Sequence, residues 1–173
     1  MDSTARTPRR NGSGLTKQAD VALAALHESP LDLLPMSKDV RLVRLLFMPT
    51  FHRNVLIVVE ALQGVARIAC TMSGTAPRRE ENVLPTVELD ALWNATGAVD
   101  YEDGPQAQTG TGIPLRLDID DWSGRRTMTG VADIVGGPVA TLVDEMVALV
   151  RTNLLDDDID QALCDVERYL VRE

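Results

Sequence analysis

The stretch RLLFMPTFHRNVLIVVE, Arg44 to Glu60, decides how this chain folds. Two apolar runs flank a short turn that holds Pro49, Phe51 and His52. The runs extend to Val40–Met48 and Asn54–Leu62. Both are too short and too β-branched to favour a helix, so they read as strands. Gln63-Gly64 is a tight turn into VARIACTMS, Val65 to Ser73. There Val65, Arg67, Ala69 and Thr71 face one way, and Ala66, Ile68, Cys70 and Met72 the other. Three strands with short links make a meander. In this reading Phe51 covers apolar surface at the sheet end and His52 is a structural turn residue.

Upstream, residues 1–14 are polar, Gly/Ser-bearing and weakly basic, which predicts an unpacked tail. Residues 15–173 then form a single domain. Leu15, Ala19, Ala22, Leu23 and Leu26 recur at helical spacing, predicting a helix over Thr16–Glu28 that Pro30 and Pro35 terminate. His27 near its end suits the helix dipole.

Downstream, GTAPRREEN (Gly74–Asn82) reads as a loop. TVELDALWNATGAV reads as a short helix with Leu89, Leu92 and Trp93 on its apolar face. A long glycine-rich loop spans Asp100–Gly112. IPLRLDID alternates, with Ile113, Leu115, Leu117 and Ile119 inward and Arg116, Asp118 and Asp120 outward. DWSGRR is a hairpin loop, with Gly124 at a positive-φ position. RTMTGVADIV returns as its partner strand. A Gly-Gly-Pro opening starts one helix, and DDDIDQALCDVERYLVR forms the last. The order α-βββ-α-ββ-αα predicts an α+β domain: a five-stranded, mainly antiparallel sheet with helices packed on one face.

The 173 residues carry a net charge of −9. In the first 20 residues Arg6, Arg9, Arg10 and Lys17 outweigh Asp2 and Asp20 by two, leaving −11 on the rest. So acidic a body repels phosphate backbones, which argues against nucleic acid and for a basic protein partner. Cys70 and Cys164 lack metal-type spacing and read as buried, reduced thiols. No apolar leader or membrane-length run is present, so a cytoplasmic protein without membrane contact is expected.

Candidate chemistry is sparse. His52 lacks a nucleophile signature in any recognisable spacing. Asp118 and Asp120 lie about 7 Å apart on one strand face and could hold Mg²⁺ for phosphoester chemistry. Their alternation reads more simply as a polar surface. Asp156, Asp158, Asp160 and Glu167 match four positions of a calcium loop, but Gln161 stands where that loop needs glycine. No phosphate-binding glycine motif occurs. No cofactor or metal is expected.

The Arg44–Glu60 segment resembles the opening hairpin of a group of small uncharacterised bacterial α+β proteins, in which an arginine-led strand ends in a Ser/Thr-Phe-His turn. The layout from Ile113 to Val150 and the placement of Trp93 are also similar. The group's Asp-Gly and Trp at the start of the late hairpin are replaced here by Ile113-Pro114. This resemblance implies a fold type; some small domains of this kind are immunity proteins that silence a toxin. The element order also resembles acidic type III-like secretion chaperones, which implies a dimer holding one effector.

The expectation is a non-enzymatic binding module that masks a basic partner, foremost an immunity or inhibitor protein against a toxin. The alternatives are an effector chaperone, a possible homodimer, or a Mg²⁺-dependent phosphoesterase using Asp118 and Asp120. The expected partner-binding residues are Asp118, Asp120, Tyr101, Glu102, Asp103, Asp156, Asp158 and Asp160.

Overall fold

The computed structural model describes residues 14–35, 37–99, 112–132 and 137–168. One open antiparallel sheet runs through them in the order β4-β3-β2-β1-β5-β6. Its strands are β1 (Val40–Phe47), β2 (Val55–Leu62), β3 (Val65–Met72), β4 (Arg78–Pro85), β5 (Ile113–Asp121) and β6 (Gly124–Ala132). Among the described residues four α-helices accompany it: α1 (Gly14–Ala25), α2 (Asp90–Ala98), α3 (Pro138–Asn153) and α4 (Asp157–Glu167). Short 3₁₀ turns occupy Leu31–Leu33 and Thr86–Leu89.

The α+β class and the β1–β2–β3 meander match expectation. The strand count does not: six, because Arg78–Pro85 is a strand and not a loop. Its sequence, RREENVLP, has a single buried apolar residue, Leu84. It pairs only with β3, from Val65↔Pro85 to Met72↔Arg78. A charged edge of this kind discourages pairing with another chain, and it carries no apolar alternation by which to recognise it.

The helices also occupy both faces. On one face α2, α3 and α4 pack over Val43, Leu45, Phe47, Ile57, Val59 and Ile68. On the other, α1 and the turn after it pack over Leu42, Leu46, Leu56, Val58 and Ala69 through Ala22, Leu23, Leu26 and Leu31. This explains the near-continuous apolar runs of β1 and β2: a strand covered on both sides has no solvent face to keep polar.

Two turn positions decide how these layers join. His27 (φ 61°) ends α1 in the left-handed region, with Glu28 N–H donating to Leu23 O (2.9 Å) and His27 N–H to Ala24 O (3.1 Å). This double bond pattern is a Schellman closure with histidine where glycine is usual. It turns the chain back over the sheet, so the role of His27 is conformational. Gly124 (φ 113°) makes the β5–β6 turn as its sequence requires.

The sheet thus has two distinct ends. One carries the β1–β2 turn with Phe51 and His52. The other carries the β2–β3 turn at Gln63-Gly64, the β5–β6 turn at Trp122-Ser123, and the start of β1.

Candidate functional site

The predicted partner-binding carboxylates are the natural starting point. Asp118 is not on an open face. It is 1% exposed, beneath α1, with Arg44 (2%) and Arg116 (3%) buried beside it. Arg44 donates to Asp118 Oδ2 (2.6 Å); Arg116 Nε and Thr127 Oγ1 donate to Oδ1 (both 2.9 Å). Arg44 also donates to Ser29 O (2.8 Å), and Arg116 reaches Asp20 (2.6 Å). Cross-strand pairing places Arg44, Asp118 and Thr127 side by side on three strands. Asp118 therefore has a packing duty after all: it neutralises two arginines that a covered sheet face would otherwise bury unpaired. A divalent cation approaching it would meet two guanidinium groups.

Asp120 is mostly buried and bonds Arg125 Nε (2.7 Å); Arg125 in turn ties down Leu31 O, Leu34 O and Pro35 O. Asp156 is the N-cap of α4, accepting the Asp158 and Ile159 amides. Arg78 bridges Asp156 (2.5 Å) and Asp158. Loss of solvent works to raise the Asp156 pKa, but the Ile159 amide and Arg78 outweigh it and hold the carboxyl below its ordinary value. Asp160 is exposed and pairs with Arg151 (3.1 Å). Tyr101, Glu102 and Asp103 lie outside the described residues. The structure does not gather the five described carboxylates into one face, and each already has an arginine.

At the β1–β2 end a cleft of about 660 Å³ is lined by Phe51, His52, Asn54, Ser73, Gln161 and Asp165. His52 Nδ1 lies 3.6 Å from Asp165 Oδ2. Ser73 Oγ in the same cleft accepts the Asn54 amide (2.8 Å), a turn-closing bond. Phe51 is 87% exposed, so it does not cover the sheet end as expected. Phe47, Met48 and Val55, at the ends of the strands beside it, are buried without it.

Cys70 is buried, and burial with the nearby Glu80 and Asp156 charges pushes its thiol up to about 12, against the lowering effect of Arg79. Cys164 is only half-buried and accepts a bond from Arg151 at 3.2 Å.

The opposite end of the sheet has a different character. Arg41, on β1, is sandwiched between two tryptophan rings: its guanidinium carbon is 4.1 Å from the Trp93 centroid and 4.0 Å from that of Trp122. Trp93 comes from α2 and is buried; Trp122, in the β5–β6 turn, remains 82% exposed. Burial lowers the Arg41 pKa and Asp121 opposes the shift, yet a guanidinium stays protonated in proteins. Leu62, Val65, Val83 and Val87 are also exposed here, so among the described residues five of the nine large exposed apolar residues sit at this one end. Register makes Leu62, Val65 and Pro85 neighbours across β2, β3 and β4. A cleft of about 390 Å³ between the turns brings Leu62, Val87, Trp93 and Trp122 together with two carboxylates, Asp39 and Asp90, and two cations, Lys38 and Arg41. Both carboxylates are exposed and have no ion-pair partner among the described residues.

Sequence reasoning passed over Trp122 and Arg41. The available signal was a tryptophan at the tip of a two-stranded hairpin, where turns ordinarily take polar residues. The Arg41 sandwich joins three segments more than 25 positions apart and has no local signature.

No protein-family model matches the chain, and no curated protein matches it.

Proposed function

We propose that this chain is a non-enzymatic protein-binding module that masks a basic partner, and that it docks through the tryptophan end of its sheet. The observation that carries this reading is the convergence of Trp122, Leu62, Val65 and Val87 with Asp39 and Asp90. Monomer surfaces seldom cluster exposed apolar side chains, and tryptophan and arginine are the side chains that dominate binding energy in protein interfaces. Of the carboxylates first expected to meet the partner, the five described ones are tied to arginines. Asp39 and Asp90, in the cleft that Trp122 lines, have no ion-pair partner among the described residues and stand there beside Lys38 and Arg41. Opposite charge would speed the encounter, and the apolar patch would hold the complex. The form this suits best is an inhibitor or immunity protein that covers a basic toxin.

The test is affinity capture from native lysate with the wild-type chain and Trp122→Ser, at low and high salt. A basic protein retained by wild type, lost with Trp122→Ser and weakened by salt supports the reading. A secreted protein caught in the same way would make the module a chaperone. Equal capture by both chains would move the interface elsewhere.

A further inference from the structure

We propose that the outer edge of β6 is a dimerisation site, pairing antiparallel with β6 of a second copy of this chain across a two-fold axis at Met128. β6 closes one side of the sheet, and among the described residues no strand pairs with its far edge. The parity of the hydrogen bonds fixes which groups lie there. Met48 N–H donates to Pro114 O (2.8 Å), one step beyond the Phe47↔Leu115 pair of β1 and β5. Bonded pairs recur at every second residue of an antiparallel ladder. Arg116, Asp118 and Asp120 therefore bond towards β1, and Leu115, Leu117 and Ile119 towards β6. The β6 partners of these three are Gly130, Met128 and Arg126. The N–H and C=O groups of Arg125, Thr127, Thr129 and Val131 are left pointing out of the sheet.

The opposite edge is closed by comparison. Thr86 N–H donates to Gly64 O (3.3 Å), one step beyond Val65↔Pro85, so the outward groups of β4 belong to Arg79, Glu81, Val83 and Pro85. Pro85 has no N–H, and the Val83 N–H is taken by Asn82 Oδ1 (2.8 Å). Arg79 and Glu81 add charge. Proline and charge are devices that keep a sheet edge from pairing. The middle of β6 has neither: TMTG is uncharged and lacks proline, and Thr127 is exposed.

A second copy is selected by the fit of this edge to itself. With Met128 on the axis, Arg125 stands opposite residue 131 of the second copy, and Thr127 opposite its Thr129. All the outward residues then meet outward residues, and each pair exchanges two backbone bonds. Cross-strand threonine pairs are favourable, and like charges directly opposite are not. This register sets threonine on threonine, places Arg126 against Gly130 and brings no arginine opposite another. GRRTMTGVA has no carboxylate, so the −9 charge of the chain is not concentrated at the axis. Arg125 and Arg126 are already neutralised by Asp120 and Asp121, each at 2.7 Å. The pairing does not depend on what the tryptophan end binds.

Sedimentation velocity of the full chain over a dilution series should show a dimer that dissociates as it is diluted. Thr129→Pro removes an outward donor and leaves the β5 ladder intact, because that N–H points away from β5. It should raise the dimer dissociation constant at least about tenfold, through the two symmetry-related bonds it deletes, with an unchanged far-UV circular dichroism spectrum. Register is read separately by Met128→Cys in a Cys164→Ser chain. Its two copies face each other as a non-hydrogen-bonded pair with Cα atoms about 4.5 Å apart, within reach of a disulfide, and should crosslink under mild oxidation. Thr127→Cys in the same background lies diagonally across the axis and should crosslink far less. A monomer at every concentration overturns the inference, as does a dimer that a folded Thr129→Pro leaves intact. Failure of Met128→Cys to crosslink ahead of Thr127→Cys overturns it equally, and decides alone if Thr129→Pro does not fold.

Discussion

Replacing Asp118 by asparagine tests the least expected feature of the fold. The substitution keeps the shape of the side chain and removes its charge. In the native protein that charge is shared between Arg44 and Arg116, at 2.6 and 2.9 Å, with all three side chains at most 4% exposed. Afterwards Arg116 retains Asp20 at 2.6 Å, a half-exposed partner. Arg44 retains the Ser29 carbonyl and, at 4.0 Å, Glu28. Neither residual contact replaces a buried carboxylate, and an amide N–H₂ now faces at least one guanidinium. Breaking a buried pair by removing one partner costs about 3–5 kcal/mol. The surviving contacts place Asp118→Asn near the lower figure. With a urea m-value of about 2 kcal/mol/M, the midpoint should fall by about 1.5 M. Asp160→Asn, at an exposed pair, should fall within about 0.5 kcal/mol of wild type and serves as the control. Equilibrium urea unfolding by far-UV circular dichroism reads both. A midpoint for Asp118→Asn within error of wild type would refute the buried cluster and return Asp118 to the surface.

Phe51→Ala should change stability by less than about 0.5 kcal/mol in the same assay, because its ring is in solvent; Trp93→Ala, by contrast, should cost about 3–5 kcal/mol. Native-state thiol labelling should modify Cys164 and spare Cys70, whose thiol is buried and pushed up to about 12, until the chain unfolds. His27→Gly should raise the melting temperature, since the Schellman position holds a left-handed residue that costs histidine about 1–2 kcal/mol, partly offset by the greater freedom of glycine when unfolded. Asp156 has a folded pKa below its unfolded value of 3.8, so its contribution is fully present above that value and is lost as pH falls through the folded one. Asp156→Ala should therefore lower the melting temperature at pH 7, and the gap to wild type should narrow progressively as pH drops below about 3.8.

What the sequence determined by itself was everything governed by short-range periodicity. The branched runs at Val40–Phe47 and Val55–Leu62, the Gln63-Gly64 turn, the glycine at 124 and the aspartate-loaded start of α4 each have local causes, and each element stands within a few residues of its expected bounds. The α+β class followed from their order. What failed were inferences that needed to know what covers the second face of the sheet or its edges. Alternation in IPLRLDID separates two faces, but does not say that α1 lies on the second one; hence Asp118 read as solvent-facing and proved to be the anion of a buried cluster. The same missing knowledge placed all helices on one face, took the polar edge strand Arg78–Pro85 for a loop, and credited Phe51 with a covering role. Trp122 and Arg41 make the point most plainly. They are distant in sequence, and the β1–β5 pairing together with α2 brings them to one stack with Trp93. Burial and charge pairing are properties of the neighbours an atom acquires on folding, and those neighbours come from topology, to which local spacing is blind.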